Sequence, residues 1–142
     1  MVYAADLGDD VKVAPGWSVQ AAAGVHAPAA EAADVAWRPG GGQFIAYNHA
    51  TNRLFVLMHV GEGWTHKKEG TELWILDTVA HALIKRIALR DPASNVSVSQ
   101  DAASMIYLTG RGPKLTVMDP QTGAVVRSID QVGGGPVMTA SF

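Results

Sequence analysis

The sequence contains no cysteine. That excludes disulfides, thiolate metal sites and a cysteine nucleophile together, and it leaves the redox compartment open. Positive charge is not in surplus either: 11 basic residues stand against 13 acidic ones, a formal net charge of -2. With nothing to neutralise a phosphate backbone, no nucleic-acid partner is expected. No stretch approaches the ~18 uninterrupted apolar residues of a membrane helix, so no membrane partner is expected. The acidic opening MVYAADLGDD does not read as a secretory signal. Charged residues make up 17% and aromatics 7% of the 142 residues, yet 48% are hydrophobic, which is the balance of a chain that folds.

What is present is a series of short apolar runs divided by turn residues. Residues 43–47 (QFIAY), 53–60 (RLFVLMHV), 72–77 (ELWILD) and 82–89 (ALIKRIAL) form one set. Residues 94–98 (SNVSV), 104–109 (SMIYLT), 114–119 (KLTVMD) and 124–129 (AVVRSI) form a second. Each is four to eight residues long and rich in Val, Ile, Leu and aromatics, so each is predicted to be a strand. The Ala-rich stretch 28–34 (PAAEAAD) is the sole helix candidate, with Pro28 suited to a first helical position. Residues 20–42 otherwise read as an Ala/Gly-rich connecting loop.

The two sets are copies of one another. ELWILDTVAHALIKRI at 72–87 aligns without gaps on KLTVMDPQTGAVVRSI at 114–129, an offset of 42 residues. AYNHATNRLFVL at 46–57 aligns on SVSQDAASMIYL at 97–108 with an offset of 51, so the first copy carries a nine-residue insertion in the loop after RLFVLMHV. Four strands per unit at this period is the pattern of a β-propeller blade. Asp77 and Asp119 occupy the same place in the two copies, each ending a third strand and opening a turn that its carboxylate can cap. The expected fold is therefore all-β, a partial β-propeller of about two and a half to three four-stranded antiparallel blades. Residues 1–19 would end a preceding blade, 43–89 and 93–130 would be blades, the first with a long loop at 61–71, and 131–142 would be a tail or closing segment. So few blades cannot close a ring, and the last strands would present bare edges. The chain is expected to belong to a longer protein or to be completed by further copies, and by itself to be unstable or to self-associate.

Candidate sites are few. The glycine runs at 40–42 and 133–135 lack GxxxxGK[ST] and a following helix, so they read as tight backbone entries and not as phosphate cradles. His26, His49, His59, His66 and His81 fall in no metal-ligand spacing, and Ser97, Ser99 and Ser104 in no GxSxG elbow. No catalytic, cofactor-binding or metal-binding residue is assigned. The four tryptophans, Trp17, Trp37, Trp64 and Trp74, are scattered, and Trp74 reads as packing within its blade. The inserted loop is different: Trp64 beside His66, Lys67 and Lys68 combines an aromatic anchor with a charged rim, the composition of a protein contact. The other reading is a solvated basic loop whose tryptophan packs on its own blade.

Three elements carry a family resemblance: Trp37-Arg38-Pro39-Gly40-Gly41, the loop Glu62-Gly63-Trp64-Thr65-His66-Lys67-Lys68, and Asn95-Val96-Ser97-Val98-Ser99-Gln100-Asp101. In this order and spacing they resemble the C-terminal part of the amine dehydrogenase heavy-chain family, the β-propeller subunit of bacterial methylamine dehydrogenases. The resemblance implies a seven-bladed fold, a periplasmic location and a two-plus-two heterotetramer with a light subunit. It implies that the light subunit carries tryptophan tryptophylquinone and the catalytic base, oxidises a methylamine-like primary amine to aldehyde and ammonia, and passes electrons to a small copper protein. This chain would then be a non-catalytic scaffold with no cofactor of its own. Trp37, Arg38, Trp64, His66, Lys67 and Lys68 would be candidates for the subunit interface. The rival expectation is a generic β-propeller protein-binding module without a redox role.

Overall fold

The computed structural model describes residues 3–6, 12–18, 22, 36–62 and 64–132. Among them are eleven β-strands: β1 (Tyr3–Asp6), β2 (Lys12–Ser18), β3 (Ala36–Pro39), β4 (Ile45–Asn48), β5 (Arg53–Gly61), β6 (Gly70–Asp77), β7 (Ala82–Ala93), β8 (Asn95–Val98), β9 (Ile106–Thr109), β10 (Lys114–Met118) and β11 (Val125–Asp130). β1 and β2 pair antiparallel as a two-stranded sheet. β4 to β7 form one antiparallel meander and β8 to β11 a second. The all-β architecture and the fourfold strand units follow the sequence expectation. The helical turn expected at 28–34 and the glycine run at 133–135 lie outside the described residues.

β3 is a strand that the apolar pattern does not announce, because Ala36–Pro39 reads as part of a loop. It pairs with the second half of β5, Trp37 opposite Val60 and Arg38 opposite His59, while β4 pairs with the first half. The nine-residue β5 is long enough to hold both partners end to end, with the glycines between them.

The two meanders stand side by side as neighbouring blades do. Gln43 and Asn95 form a parallel bridge at the start of β4 and β8, with Val96 N donating to Gln43 O at 2.9 Å. At the far ends of the same strands, Asn48 Nδ2 donates to Ser99 O at 2.7 Å and to Asp101 O at 2.9 Å. Its Oδ1 accepts from Thr51 N and Thr51 Oγ1, so this fully buried amide is saturated. Between the sheets lies a core of Phe55, Leu57, Leu73 and Ile75 against Val96, Val98, Ile106 and Leu108.

The first meander has a second buried face, where Val56, Met58, Trp74 and Leu76 pack with Trp37 and Ala22. Burial on both faces explains why β5 and β6 read as continuous apolar runs and not as alternations. The outer strand β11 is exposed at every residue, as the last strand of its meander.

The turns repeat as the sequence does. Asp77 Oδ1 accepts from the backbone N–H of Val79 and Ala80, and Asp119 Oδ1 from Gln121 and Thr122. The Ala80 N–H and its neighbours hold the Asp77 carboxyl below the usual carboxylate range, and the Gln121 N–H leads the same effect on Asp119. Replacing Asn48 by Ala removes one polar link between the two inner strands and leaves the part-buried Ser99 O, Asp101 O and Thr51 N without this partner. The expected loss is about 2–4 kcal/mol of unfolding free energy, read from the urea midpoint of the full-length protein.

Candidate functional site

The loop between β5 and β6 is the longest between strands wholly among the described residues, apart from Gly63, and it is fixed at several points. Thr65 N donates to Glu62 O at 3.1 Å and Lys68 N to Thr65 O at 2.9 Å, so the segment folds as consecutive turns. Gly41 N donates to His66 O at 3.0 Å, tying the loop to the glycine run. The Glu69 carboxylate accepts from Ser94 Oγ at 3.0 Å and Arg111 N at 2.9 Å, tying the same loop to the second sheet. At its base Arg38 Nε donates to Gly61 O at 2.9 Å.

The glycines make this junction possible. A side chain at Gly40 would collide with the His59 ring and with Lys68 O, and Gly41, at φ 122°, would drive a Cβ into Ser94 O. Only glycine adopts that dihedral without strain. The tight-entry reading of this run thereby gains a specific cause: the strand, its loop and the neighbouring sheet meet there.

The six candidate residues divide. His66, Lys67 and Lys68 are exposed, and Trp64 is 69% exposed, so it does not pack on its own blade. Arg38 braces the loop from β3. Trp37 is elsewhere: it packs against Trp74 with ring centroids 5.5 Å apart and planes tilted by 49°, and the Arg86 guanidinium lies over both rings, 4.6 Å from one and 4.7 Å from the other. Glu72 closes that cluster by accepting from Arg86 Nε at 2.8 Å and Trp74 Nε1 at 2.7 Å. Desolvation pushes the Glu72 carboxyl up, but the hydrogen bonds from Arg86 and Trp74 outweigh it and hold it below its ordinary value. The structure thus gathers Trp64, His66, Lys67 and Lys68 on one loop with Arg38 at its base, and packs Trp37 against Trp74.

Sequence reasoning missed His59, which it took only as the end of a strand. His59 is fully buried, and its Nε2 lies 2.8 Å from Thr65 Oγ1. The signal was its place in the alternation after Phe55 and Leu57, on a run that stays apolar to its end. Burial pushes the His59 imidazole down, and the nearby Lys68 and Arg38 charges push it further the same way.

Elsewhere an open groove of about 670 Å³ lies between the turns at the opposite end of the sheets. Its cations are already engaged, Arg53 with Asp77 and Lys85 with Gln121 O. Among the described residues no group of three or more His, Cys, Asp or Glu could hold a metal ion. No helix among them is long and apolar enough to cross a membrane.

The strands, the repeat and the braced loop leave the choice among propeller families to comparison with known proteins. Residues 17–142 match the family described as methylamine dehydrogenase heavy chain (MADH). The chain belongs to that family. It is 37% identical over 109 residues to the methylamine dehydrogenase heavy chain of Methylorubrum extorquens, covering 75% of this chain and 27% of that one. The Methylophilus methylotrophus heavy chain is 36% identical (72% and 25% covered), and the Paracoccus versutus heavy chain 35% (70% and 24%). The chain therefore spans about a quarter of the length of these heavy chains. Among solved structures, Kuenenia stuttgartiensis hydrazine synthase aligns at TM-score 0.40 and 18% identity, covering 78% of this chain and 41% of that one.

The buried histidine gives a pH dependence. In the folded protein His59 stays neutral below the ordinary imidazole value of about 6.5, whereas the unfolded chain takes up a proton there. As the pH falls from about 6.5, stability is expected to drop through this group by up to about 1.4 kcal/mol per pH unit, until the lowered folded-state value is reached. Unfolding free energies of the protein and of its His59→Gln variant, measured between pH 7 and pH 5, should diverge as the pH falls, by no more than this slope.

Proposed function

We propose that this chain is part of the heavy subunit of a quinoprotein amine dehydrogenase, and that its loop 62–69 helps to seat the light subunit. In this reading the light subunit bears tryptophan tryptophylquinone. That cofactor supplies the oxidation of a methylamine-like primary amine, with water, to aldehyde and ammonia, releasing two electrons and two protons. A small copper protein takes the electrons, and the assembly is a periplasmic heterotetramer. The heavy chain contributes rigidity and surface, not reacting groups.

Family membership supports the subunit assignment, and one observation carries the role of the loop. Trp64 stands in solvent on a backbone fixed by hydrogen bonds to two sheets. An aromatic side chain has only two side-chain torsions to fix, and on a backbone held in advance it loses little entropy on binding, which is what makes such residues anchors in interfaces. The exposed His66, Lys67 and Lys68 around it suit a partner surface with an apolar recess and an acidic margin.

Trp37 and Trp74 are the close tryptophan pair among the described residues, and Arg86 lies over both rings, with Trp74 fully buried. These contacts are those of a packing cluster, and in this reading the cofactor belongs to the partner.

Trp64→Ala combined with Lys67→Ala in the full-length protein is expected to weaken association with the light subunit at least about ten-fold, with the melting temperature of the heavy chain unchanged. Titration of the two subunits measures it, and unchanged affinity overturns the role given to the loop. Co-purification tests the wider assignment: a small quinone-bearing subunit should travel with the protein.

A further inference from the structure

Thr65 settles the protonation of the histidine beneath it. The threonine hydroxyl has one hydrogen, and Thr65 Oγ1 donates it to Glu62 O at 2.6 Å. Toward His59 Nε2, 2.8 Å away, the same oxygen can therefore only accept. His59 carries its proton on Nε2, and its Nδ1 is a lone pair. That Nδ1 is buried and meets no hydrogen-bond donor. What lies against it is the backbone of Gly40, packed so closely that a methyl group there would collide with Nδ1. A second proton on the ring would point into this backbone without an acceptor, beside the Arg38 and Lys68 cations. Every contact around the ring selects one tautomer.

We propose that His59 is the positioning residue of the Trp64 loop: its Nε2–H, relayed through Thr65 to Glu62 O, fixes the turn that presents Trp64 to a partner. The chain of bonds runs from the strand interior to the loop in two steps. His59 holds Thr65, and Thr65 holds both Glu62 O through its hydroxyl and Lys68 N through its carbonyl. Trp64 directly precedes Thr65, so the fixing of Thr65 sets where its backbone leaves the turn. Gly61, which would otherwise place a Cβ against Thr65 Oγ1, leaves room for the relay. Without the imidazole the hydroxyl keeps its acceptor but loses the donor that orients it, and the loop loses its attachment to the floor of the strand. The value of this lock for assembly rests on the reading of loop 62–69 as a subunit contact; its effect on the loop does not.

Amide hydrogen exchange on the full-length protein tests both. In His59→Leu and Thr65→Val, protection of the Thr65 and Lys68 amides is expected to fall about ten-fold or more, with β5 and β6 core amides unchanged. His59→Gln, whose amide N–H reaches the place of Nε2–H, and Thr65→Ser, which keeps the hydroxyl, should restore protection to within about three-fold of the parent. Loop protection unchanged in His59→Leu and Thr65→Val overturns the proposal. So does equal loss in His59→Leu and His59→Gln, which would make the ring's packing the cause. If His59→Leu does not fold, Thr65→Val against Thr65→Ser decides alone. Affinity for the light subunit is measured on the same variants. A loosened loop with weakened binding supports both readings, and a loosened loop with unchanged affinity keeps His59 in its role while overturning the loop as a contact.

Discussion

Three stretches of backbone come into contact at Gly40–Gly42, and the upper end of the molecule is organised around that meeting. β3 must end and β4 begin within one strand width of β5, the β5–β6 loop must fold back over the break, and Ser94 of the next sheet must reach it. A Cβ at Gly40 or Gly41 would push one of these three away. Once the backbone is this close, Gly41 N, Gly42 N and Gln43 N find acceptors in the loop and the neighbouring sheet, and no buried donor is stranded. The braced loop and the buried histidine depend on the absence of side chains at this point, and the two sheets meet here as they do at Asn48 and across their shared core.

The sequence made some of this legible and hid the rest, for physical reasons. The repeat was visible because each unit solves the same problem with the same residue, so Asp77 and Asp119 cap matching turns with the same two backbone donors. β5 and β6 were visible because burial on both faces leaves uninterrupted apolar runs. β3 was not, because Trp-Arg-Pro-Gly combines a proline and a charge with a break, and its pairing depends on a distant stretch of β5. The packing partners of Trp37 were hidden for the same reason. A tryptophan beside an arginine and a glycine run looks like surface, yet its ring belongs to a cluster closed by Arg86 from β7. His59 was hidden by type: a histidine at a strand end is ordinarily exposed, and only the loop folded above it makes it interior.

Charge on this chain is handled in two ways. On the outer face of the first meander the half-exposed Arg86 is spread over two indole faces and paired with Glu72, so a cation covers the packed rings. On the loop the lysines stay in solvent, and the one acidic side chain within reach of the second sheet, Glu69, is committed to Ser94 and Arg111. The loop therefore presents Lys67 and Lys68 outward while Glu69 faces the protein, a local arrangement that a net charge of -2 over the chain conceals.

Burial of β5 and β6 on both faces also divides neighbours in sequence. Phe55 and Leu57 answer to the sheet that follows, Val56 and Met58 to the cluster around Trp74. A change in volume at Leu57 is compensated at positions such as Val96 or Leu108, while the adjacent Met58 is answerable to Trp37 and Leu76. Drift along this strand therefore obeys two independent sets of correlations, interleaved residue by residue. Relatives should exchange substitutions across each interface separately, so that every second position evolves together and adjacent ones do not.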